Sequence, residues 1–562
     1  MTTHKPGFLD ERRLLEGPWQ AFERDVARLL LVNGFADVRL VGGRGDHGAD
    51  ILGVRNEKLW VVQCKHTTTS SAPRAALREV VDAAQYYRAD ELAVATSRPP
   101  TAGFLEEKSR YERAGLKIRT MHPRDLLERM AKSPEYAPER KRLRDYQEHA
   151  SSRLREALLD TGRGQLVLAT GLGKTVVMAE TVADLLRDGL IKDGRVLVLA
   201  HTRELVEQLH RSFWSQLPKW VPTHHLSGGE KPSFWDGITF ATFQSVLTRL
   251  EELPHFDLVL VDEAHHIGAE TFLRVLDSLA PRYLAGATAT PWRGDGYDID
   301  EILGPAVVKI GIAEGLHEGF LTEVDYRLLA DNLDWEFVQE RSRNGYSLAQ
   351  LNRRLIVPTR DEEAARIVAE AFRREARRGG IVYSPTIHHA EHFAAVLRTF
   401  GFRSEAVSAE LAPRDRDRLM AAFRAGHLDL VTTVDLFNEG VDVPDVDMIV
   451  FMRATHSRRI FVQQLGRGLR LSPGKRNVVV LDFVTDLRRV AEVLELDSAV
   501  RGASIERLGL GDRIVEFTDK SAGGFLREWM LDQASLFLRE EDATLELPRF
   551  NFPEPARPGS VE

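Results

Sequence analysis

The sequence predicts an α/β protein in which apolar strands alternate with amphipathic helices along a chain of 562 residues. Three observations carry that prediction. The apolar run 165–169 ends in Thr170-Gly171-Leu172-Gly173-Lys174-Thr175, and a helical pattern through Val176, Val177, Ala179 and Val182 follows. That is a strand, a tight loop and a helix. A second apolar strand, 256–261, delivers two adjacent carboxylates, Asp262 and Glu263, at its C-terminal end. Between residues 17 and 120 short strands and helices alternate, as a compact α/β domain requires.

Composition bounds the possibilities. With 43% apolar and 28% charged residues the chain is expected to be globular throughout, with room for about three or four domains. No apolar run is long enough to span a bilayer, so no membrane association is expected. Residues 1–11 are polar and lack the apolar core of a signal peptide. Cys64 is the only cysteine, which excludes a disulfide framework and a cysteine zinc cluster. The expectation is a soluble protein of a reducing, cytoplasmic compartment. The net charge of −8 does not announce a nucleic-acid binder, but binding depends on where Lys and Arg sit, not on their sum.

In chain order, residues 17–34 form an amphipathic helix: Trp19, Phe22, Val26, Leu29 and Leu30 recur at helical spacing and Gly34 stops it. Glu23 lies beside its apolar face. After the turn-rich segment 42–48, two strands are predicted over 49–54 and 58–65, joined by a polar turn. Residues two apart on a strand share a face, so Gln63 and Lys65 point the same way and Asp50 on the adjoining strand can face them. A carboxylate beside a lysine suits phosphodiester hydrolysis. The carboxylate holds Mg²⁺, the metal acidifies a water, and the lysine orients that water or balances developing charge. A helix over 75–87, a strand over 91–96, a helix over 102–114 and a strand over 116–120 complete this domain. Residues 130–141, polar with two prolines, have the composition of a linker.

At the second site, glycines let backbone N–H groups close round phosphate oxygens, and the helix N-terminus adds partial positive charge. Lys174 can then reach the outer phosphates, and the Thr175 hydroxyl can ligate Mg²⁺. Asp262 is placed to hold Mg²⁺ through its water shell, and Glu263 to polarise the water that attacks the γ-phosphate.

The stretch Ala169-Thr170-Gly171-Leu172-Gly173-Lys174-Thr175 resembles motif I of superfamily 2 helicases, in which the usual first glycine, here Leu168, is commonly absent. Asp262-Glu263-Ala264-His265 resembles their DEAH box, and Ala287-Thr288-Ala289-Thr290 their motif III. Resemblances to motifs Ia, Ic, IV and V follow at Thr202-Arg203-Glu204, Thr242-Phe243-Gln244-Ser245, residues 380–384 and residues 428–444. Gln463-Gln464-Leu465-Gly466-Arg467-Gly468-Leu469-Arg470 resembles motif VI. The resemblance implies two RecA-like parallel-sheet lobes that bind ATP and Mg²⁺. It implies further roles: Gln147 reads adenine, His265 links the nucleotide site to motif III, and Asp442 contacts the ribose or supports the fingers. Arg467 and Arg470, three apart on one helix face, are implied to be arginine fingers.

The N-terminal segment resembles the Mrr-like branch of the PD-(D/E)xK nucleases through Phe22-Glu23, Gly45-Asp46-x-Gly48-x-Asp50 and Val62-Gln63-Cys64-Lys65. In that branch glutamine commonly stands for the second acidic residue. The resemblance implies that Asp50 binds metal, Gln63 supports it, Lys65 is catalytic and Glu23 completes the site.

The expected domains are therefore a nuclease (1–135), lobe 1 (136–300), lobe 2 (301–490) and an accessory, mostly helical region with a tail (491–562). The expected activity is an ATP-dependent DNA helicase or translocase with a fused endonuclease, in defence against foreign DNA and acting on double-stranded DNA. Two alternatives stay open: a repair helicase whose N-terminal domain mainly binds DNA, and a nucleic-acid-sensing ATPase that signals to a protein partner through the C-terminal region. The sequence leaves the oligomeric state open.

Overall fold

The structure, a computed structural model, describes residues 7–41, 48–67, 73–191, 194–266, 270–289, 299–329, 361–434, 446–452 and 474–483. It also describes part of 464–472 and the pairs 345–346, 515–516 and 545–546. The chain divides into two compact units, the second beginning in the main at Ile312.

The first unit contains two sheets. The N-terminal sheet has the order β1-β2-β3-β4-β5, formed by Ala36–Leu40, Ile51–Arg55, Lys58–Lys65, Glu91–Thr96 and Ile118–Met121. The first three strands pair antiparallel and the last two join in parallel. Side chains alternate across β3, so the sheet is covered on both faces. Helix α1 (Glu11–Glu16) leads into α2 (Trp19–Val32), whose Phe22, Val26 and Ala27 share a core with Ile51, Val62 and Cys64. Helix α3 (Ala75–Tyr87) packs Ala76, Leu77 and Val80 with Val61 and Val94. Gln63 and Lys65 thus share the face of Val61, the face that α3 covers. Helices α4 (Ala102–Arg113) and α5 (Pro123–Lys132) complete the domain.

The second sheet, order β12-β6-β11-β10-β7-β9-β8, is parallel throughout. Its strands are β6 (Arg163–Leu168), β7 (Arg195–Ala200), β8 (Thr223–Leu226), β9 (Gly237–Thr242), β10 (Leu258–Asp262), β11 (Tyr283–Thr288) and β12 (Ala306–Ile310). Near-continuous burial along these strands follows from cover on both faces. The sheet therefore extends past residue 300, the end expected for this lobe, because β12 pairs with β6 as an edge strand.

The expected linker is not free. Residues 123–132 are helical, and the segment that follows is pinned to the second sheet's layer. The Lys141 N–H donates to Gln216 Oε1 at 2.8 Å, Gln216 Nε2 donates back to the Lys141 carbonyl at 3.0 Å, and Arg140 pairs with Glu180. Helix α2 adds a deeper tie. Arg28 is fully buried and donates to the carbonyls of Val221 (2.7 Å) and Pro218 (3.2 Å), with its guanidinium 4.2 Å from the Phe8 ring centroid. Arg24 pairs with Glu230 and Arg13 with Asp236. Buried guanidinium groups need such acceptors, because an unpaired one costs several kcal/mol (~3–5).

Asp25 lies at this junction, and burial pushes its carboxyl up to about 7 against the pull of Arg13, Arg28 and Arg24. The folded carboxyl keeps its proton to about pH 7, whereas an unfolded one releases it near 3.8. The contribution of Asp25 to stability is therefore fully present below pH 4, falls as pH rises towards 7, and is lost above it. Asp25→Asn is expected to flatten that slope, by roughly 2–3 kcal/mol between pH 5 and 8 in urea unfolding of the full chain.

The second unit has one parallel sheet of order β16-β17-β15-β18-β19-β13-β20. Its strands are β13 (Glu323–Leu329), β15 (Gly380–Tyr383), β16 (Ser404–Ala406), β17 (Leu430–Thr433), β18 (Met448–Phe451), β19 (Asn477–Phe483) and β20 (Val515–Glu516). The strand β14 (Gly345–Tyr346) pairs separately with Leu545–Glu546. The unit's first strand starts at Glu323, where the β13 ladder to β19 opens opposite Asn477. Apart from the two short strands, the expected C-terminal helical region and tail lie outside the described residues.

Candidate functional site

Two sites take shape in the first unit. At the end of β6 the chain turns through Gly171 (φ +96°) and Gly173 (φ +86°), backbone positions that glycine alone adopts without strain. Helix α7 (Lys174–Arg187) starts directly after Gly173, and no side chain caps it. Its first-turn N–H groups are thus directed at the loop, an arrangement that favours an anion. A Cβ on Gly173 would lie 2.5 Å from Gln147 Nε2. Gln147 is buried, and its Oε1 accepts the Arg144 N–H at 3.0 Å in a capping box at the start of helix α6 (Asp145–Thr161). The residue expected to read adenine therefore stands against the phosphate loop. Gly173→Ala, strained at its φ and crowded by Gln147, is expected to weaken ATP binding about ten-fold or more, read by nucleotide titration.

Strand β10 brings Asp262 and Glu263 to the same place. Lys174 Nζ lies 3.4 Å from Glu263 Oε1, and His265 Nδ1 lies 3.3 Å from Glu263 Oε2 and 2.9 Å from Thr288 Oγ1. Thus motif I, the DEAH box and Thr288 of motif III are joined through one carboxylate. Glu263 holds a left-handed backbone (φ +48°), a strain of about 1–3 kcal/mol for a side-chain-bearing residue. Burial pushes the Glu263 carboxyl up, but Lys174 and His265 outweigh it and hold the group well below the usual carboxylate range. Burial, then the neighbouring Glu263 charge, push Asp262 up to about 7. Asp262 Oδ1 is buried and has no hydrogen-bond partner. A desolvated carboxylate oxygen of that kind fits a cation, which would relieve both effects.

Thr170 and Thr175 flank the loop, as expected, and both are partly buried. Thr202 and Thr242, at the motif Ia and Ic positions, are helix N-caps accepting from Leu205 (3.2 Å) and Ser245 (3.1 Å). Arg470 belongs to the second unit, where its carbonyl accepts from Thr322 Oγ1 at 2.9 Å. Arg467, Asp442 and Thr290 lie outside the described residues.

The N-terminal site forms on β3 and the turn into β2. Continuing the β2–β3 register by one residue from Ile51↔Val62 sets Asp50 beside Gln63. Both are buried, and Asp50 Oδ2 accepts the Cys64 N–H at 2.6 Å. Gln63 Nε2 donates to the Cys64 carbonyl at 3.3 Å, while its Oε1 is buried without a hydrogen-bond partner. That oxygen, next to a carboxylate, is a donor set that suits a hard divalent cation. Among the described residues no group of three or more His, Cys, Asp or Glu stands ready to hold a metal. Glu23 is on α2, which covers the opposite face of the sheet. Its charge reaches Cys64, where burial, then Asp50 and Glu23, push the thiol up. Lys65 Nζ lies 2.6 Å from Glu79 Oε2 of α3, a partner that no sequence spacing suggested. Asp46 of the loop before Asp50 lies outside the described residues.

Comparison with known proteins finds families over the segments that carry both sites. The family "Restriction endonuclease" matches residues 14–130, "Type III restriction enzyme, res subunit" residues 140–293, and "Helicase conserved C-terminal domain" residues 363–472. The helicase-like protein IRC3 of Saccharomyces cerevisiae is 25% identical over 356 residues, 61% of this chain and 51% of that protein. The DNA 3'-5' translocase XPB2 of Sulfurisphaera tokodaii is 27% identical over 385 residues, 61% of this chain and 81% of that protein. The chain spans about half to two thirds of the length of the first curated relatives it matches. Among solved structures, an ATP-dependent Type ISP restriction-modification enzyme, LlaBIII bound to DNA, shares the fold with a TM-score of 0.55. It is 17% identical and covers 92% of this chain and 42% of its own. No helix among the described residues is long and apolar enough to cross a membrane. The chain thus joins an Mrr-like restriction endonuclease domain to the two parts of a superfamily 2 helicase core of the restriction-subunit type.

Proposed function

We propose that this protein is an ATP-driven DNA translocase or helicase that carries a Mg²⁺-dependent endonuclease and cleaves foreign duplex DNA. The observation that supports the reading is the presence in one compact unit of two clusters, Lys174–Glu263–His265 at the phosphate loop and Asp50 beside Gln63 on the strand that carries Lys65.

In the motor, Thr175 and Asp262 would hold Mg²⁺, which neutralises charge on the phosphates when bound. Lys174, released from Glu263, moves its ammonium to the outer phosphates. Glu263 then orients the attacking water and accepts its proton, with His265 fixing the carboxylate. Arg467 and Arg470 supply positive charge in the transition state. In the nuclease, Asp50 and Gln63 would hold Mg²⁺, which acidifies water when bound. Lys65 orients that water and balances charge on the phosphodiester, and Glu23 supports the site from α2. By likeness to the translocase XPB2 we assign 3'-5' movement. The four-part division at residues 135, 300 and 490 is our working domain map, with lobe 1 extended to include β12.

The test is plasmid cleavage. Methylated and unmethylated circular DNA are incubated with protein and Mg²⁺, with and without ATP. Cleavage that needs both Mg²⁺ and ATP supports the reading. DNA-stimulated ATP hydrolysis without cleavage under any condition overturns the nuclease half of it.

A further inference from the structure

On β3 itself nothing acidic stands beside Lys65. Gln63 stands where a second carboxylate would be, and its amide cannot neutralise the Lys65 ammonium. Asp50 has one oxygen committed to the Cys64 N–H at 2.6 Å. The carboxylate that meets Lys65 comes instead from α3, with Glu79 Oε2 at 2.6 Å from Lys65 Nζ. Their side chains are 37% and 27% exposed, so the pair is half-buried, with Glu79 Oε2 itself shielded from solvent.

A second contact fixes where Glu79 stands. Gly48, two residues before Asp50, has φ +84°, and a Cβ there would lie 2.6 Å from both Glu79 Cβ and the Glu79 carbonyl oxygen. Only glycine lets the turn that delivers Asp50 approach α3 so closely. The inner face of α3 is otherwise apolar at Ala76, Leu77, Val80 and Ala83, and it locks the helix to β3. Glu79 thus touches the two chain segments that bring Asp50 and Lys65 to the site.

We infer that Glu79 is a positioning residue of the nuclease, holding the Lys65 ammonium over the Asp50–Gln63 donor set. The pair is half-buried, and an ion pair that solvent still reaches contributes little to stability, so its role lies in geometry. Lysine carries four rotatable carbons, and without a fixed counter-charge its ammonium swings into solvent. The inference rests on the nuclease reading above.

The experiment compares Glu79→Gln and Glu79→Asp with wild-type full-length protein. It measures kcat and KM for plasmid cleavage, DNA-stimulated ATP hydrolysis, and Mn²⁺ affinity by calorimetry without nucleotide. Glutamine keeps the Cβ and backbone that Gly48 packs on, and unchanged ATP hydrolysis reports an intact unit. The expected result is a kcat lower by about ten- to a hundred-fold in Glu79→Gln, KM and Mn²⁺ affinity within two-fold of wild type, and part of kcat recovered in Glu79→Asp. Glu79→Gln cleaving like wild type overturns the inference alone. Weakened Mn²⁺ binding also overturns it, by making Glu79 a metal ligand. Wild-type protein that cleaves no DNA overturns the nuclease reading and the inference with it.

Discussion

Replacing Lys174 by alanine is expected to lower ATP turnover by about a thousand-fold or more, equivalent to roughly 4 kcal/mol of transition-state stabilisation. Two physical losses combine. The phosphates lose the ammonium at the start of α7, and Glu263 loses the cation that lies 3.4 Å from its Oε1. Lys174 is the first charge that holds the buried Glu263 carboxyl down, with His265 helping, so the variant's Glu263 shifts upward and takes up a proton more readily. A protonated Glu263 cannot accept a proton from water. The measurement is steady-state phosphate release with saturating DNA, set beside nucleotide binding. Turnover within ten-fold of wild type would remove Lys174 from the catalytic set. If cleavage of circular DNA falls with turnover, ATP hydrolysis gates the nuclease.

Lys65→Ala is expected to abolish DNA cleavage, by about a thousand-fold or more, with DNA-stimulated ATP hydrolysis unchanged. Asp50→Asn is expected to match it, since the neutral amide weakens metal binding. Its effect on folding should be modest, because an amide oxygen can still accept the Cys64 N–H that Asp50 Oδ2 now accepts at 2.6 Å. Linearisation of supercoiled plasmid, with ATP hydrolysis measured on the same samples, separates the two activities. If Lys65→Ala still cleaves at a wild-type rate while Lys174→Ala does not, phosphodiester chemistry belongs elsewhere in the chain.

These two sites were open to sequence reasoning to different depths. Glycines followed by Lys-Thr at the end of an apolar strand impose one chemistry almost by themselves, and the loop forms as its residue types demand. The DEAH box is similar, because a parallel strand can end only at the edge where ligands collect. Strand parity correctly set Gln63 and Lys65 on one face of β3. The resemblance alone assigned Glu23 to that site; its helix packs on the other face of β3, and its charge meets Cys64, whose N–H Asp50 accepts. A helix beside a sheet can pack on either side, and the sequence of α2 is equally apolar in both cases. The polar, proline-bearing segment after residue 130 read as a linker. Its hydrogen bonds to Gln216 and its ion pair to Glu180 are made by residues that any solvated segment might also carry.

The sequence alone determined the strands, the helices, the phosphate loop and the strand-end carboxylates. Each of these depends on residue period and on chemistry within a few positions of the chain. Only the tertiary structure decided that Glu79 meets Lys65, that Gly48 packs on Glu79, and that Arg28 reaches two carbonyls 193 and 190 residues away. It also decided that Glu263 takes a left-handed backbone. Such contacts join elements that approach because each must bury an apolar face. The polar partners that meet where those faces close leave no periodic mark on the chain.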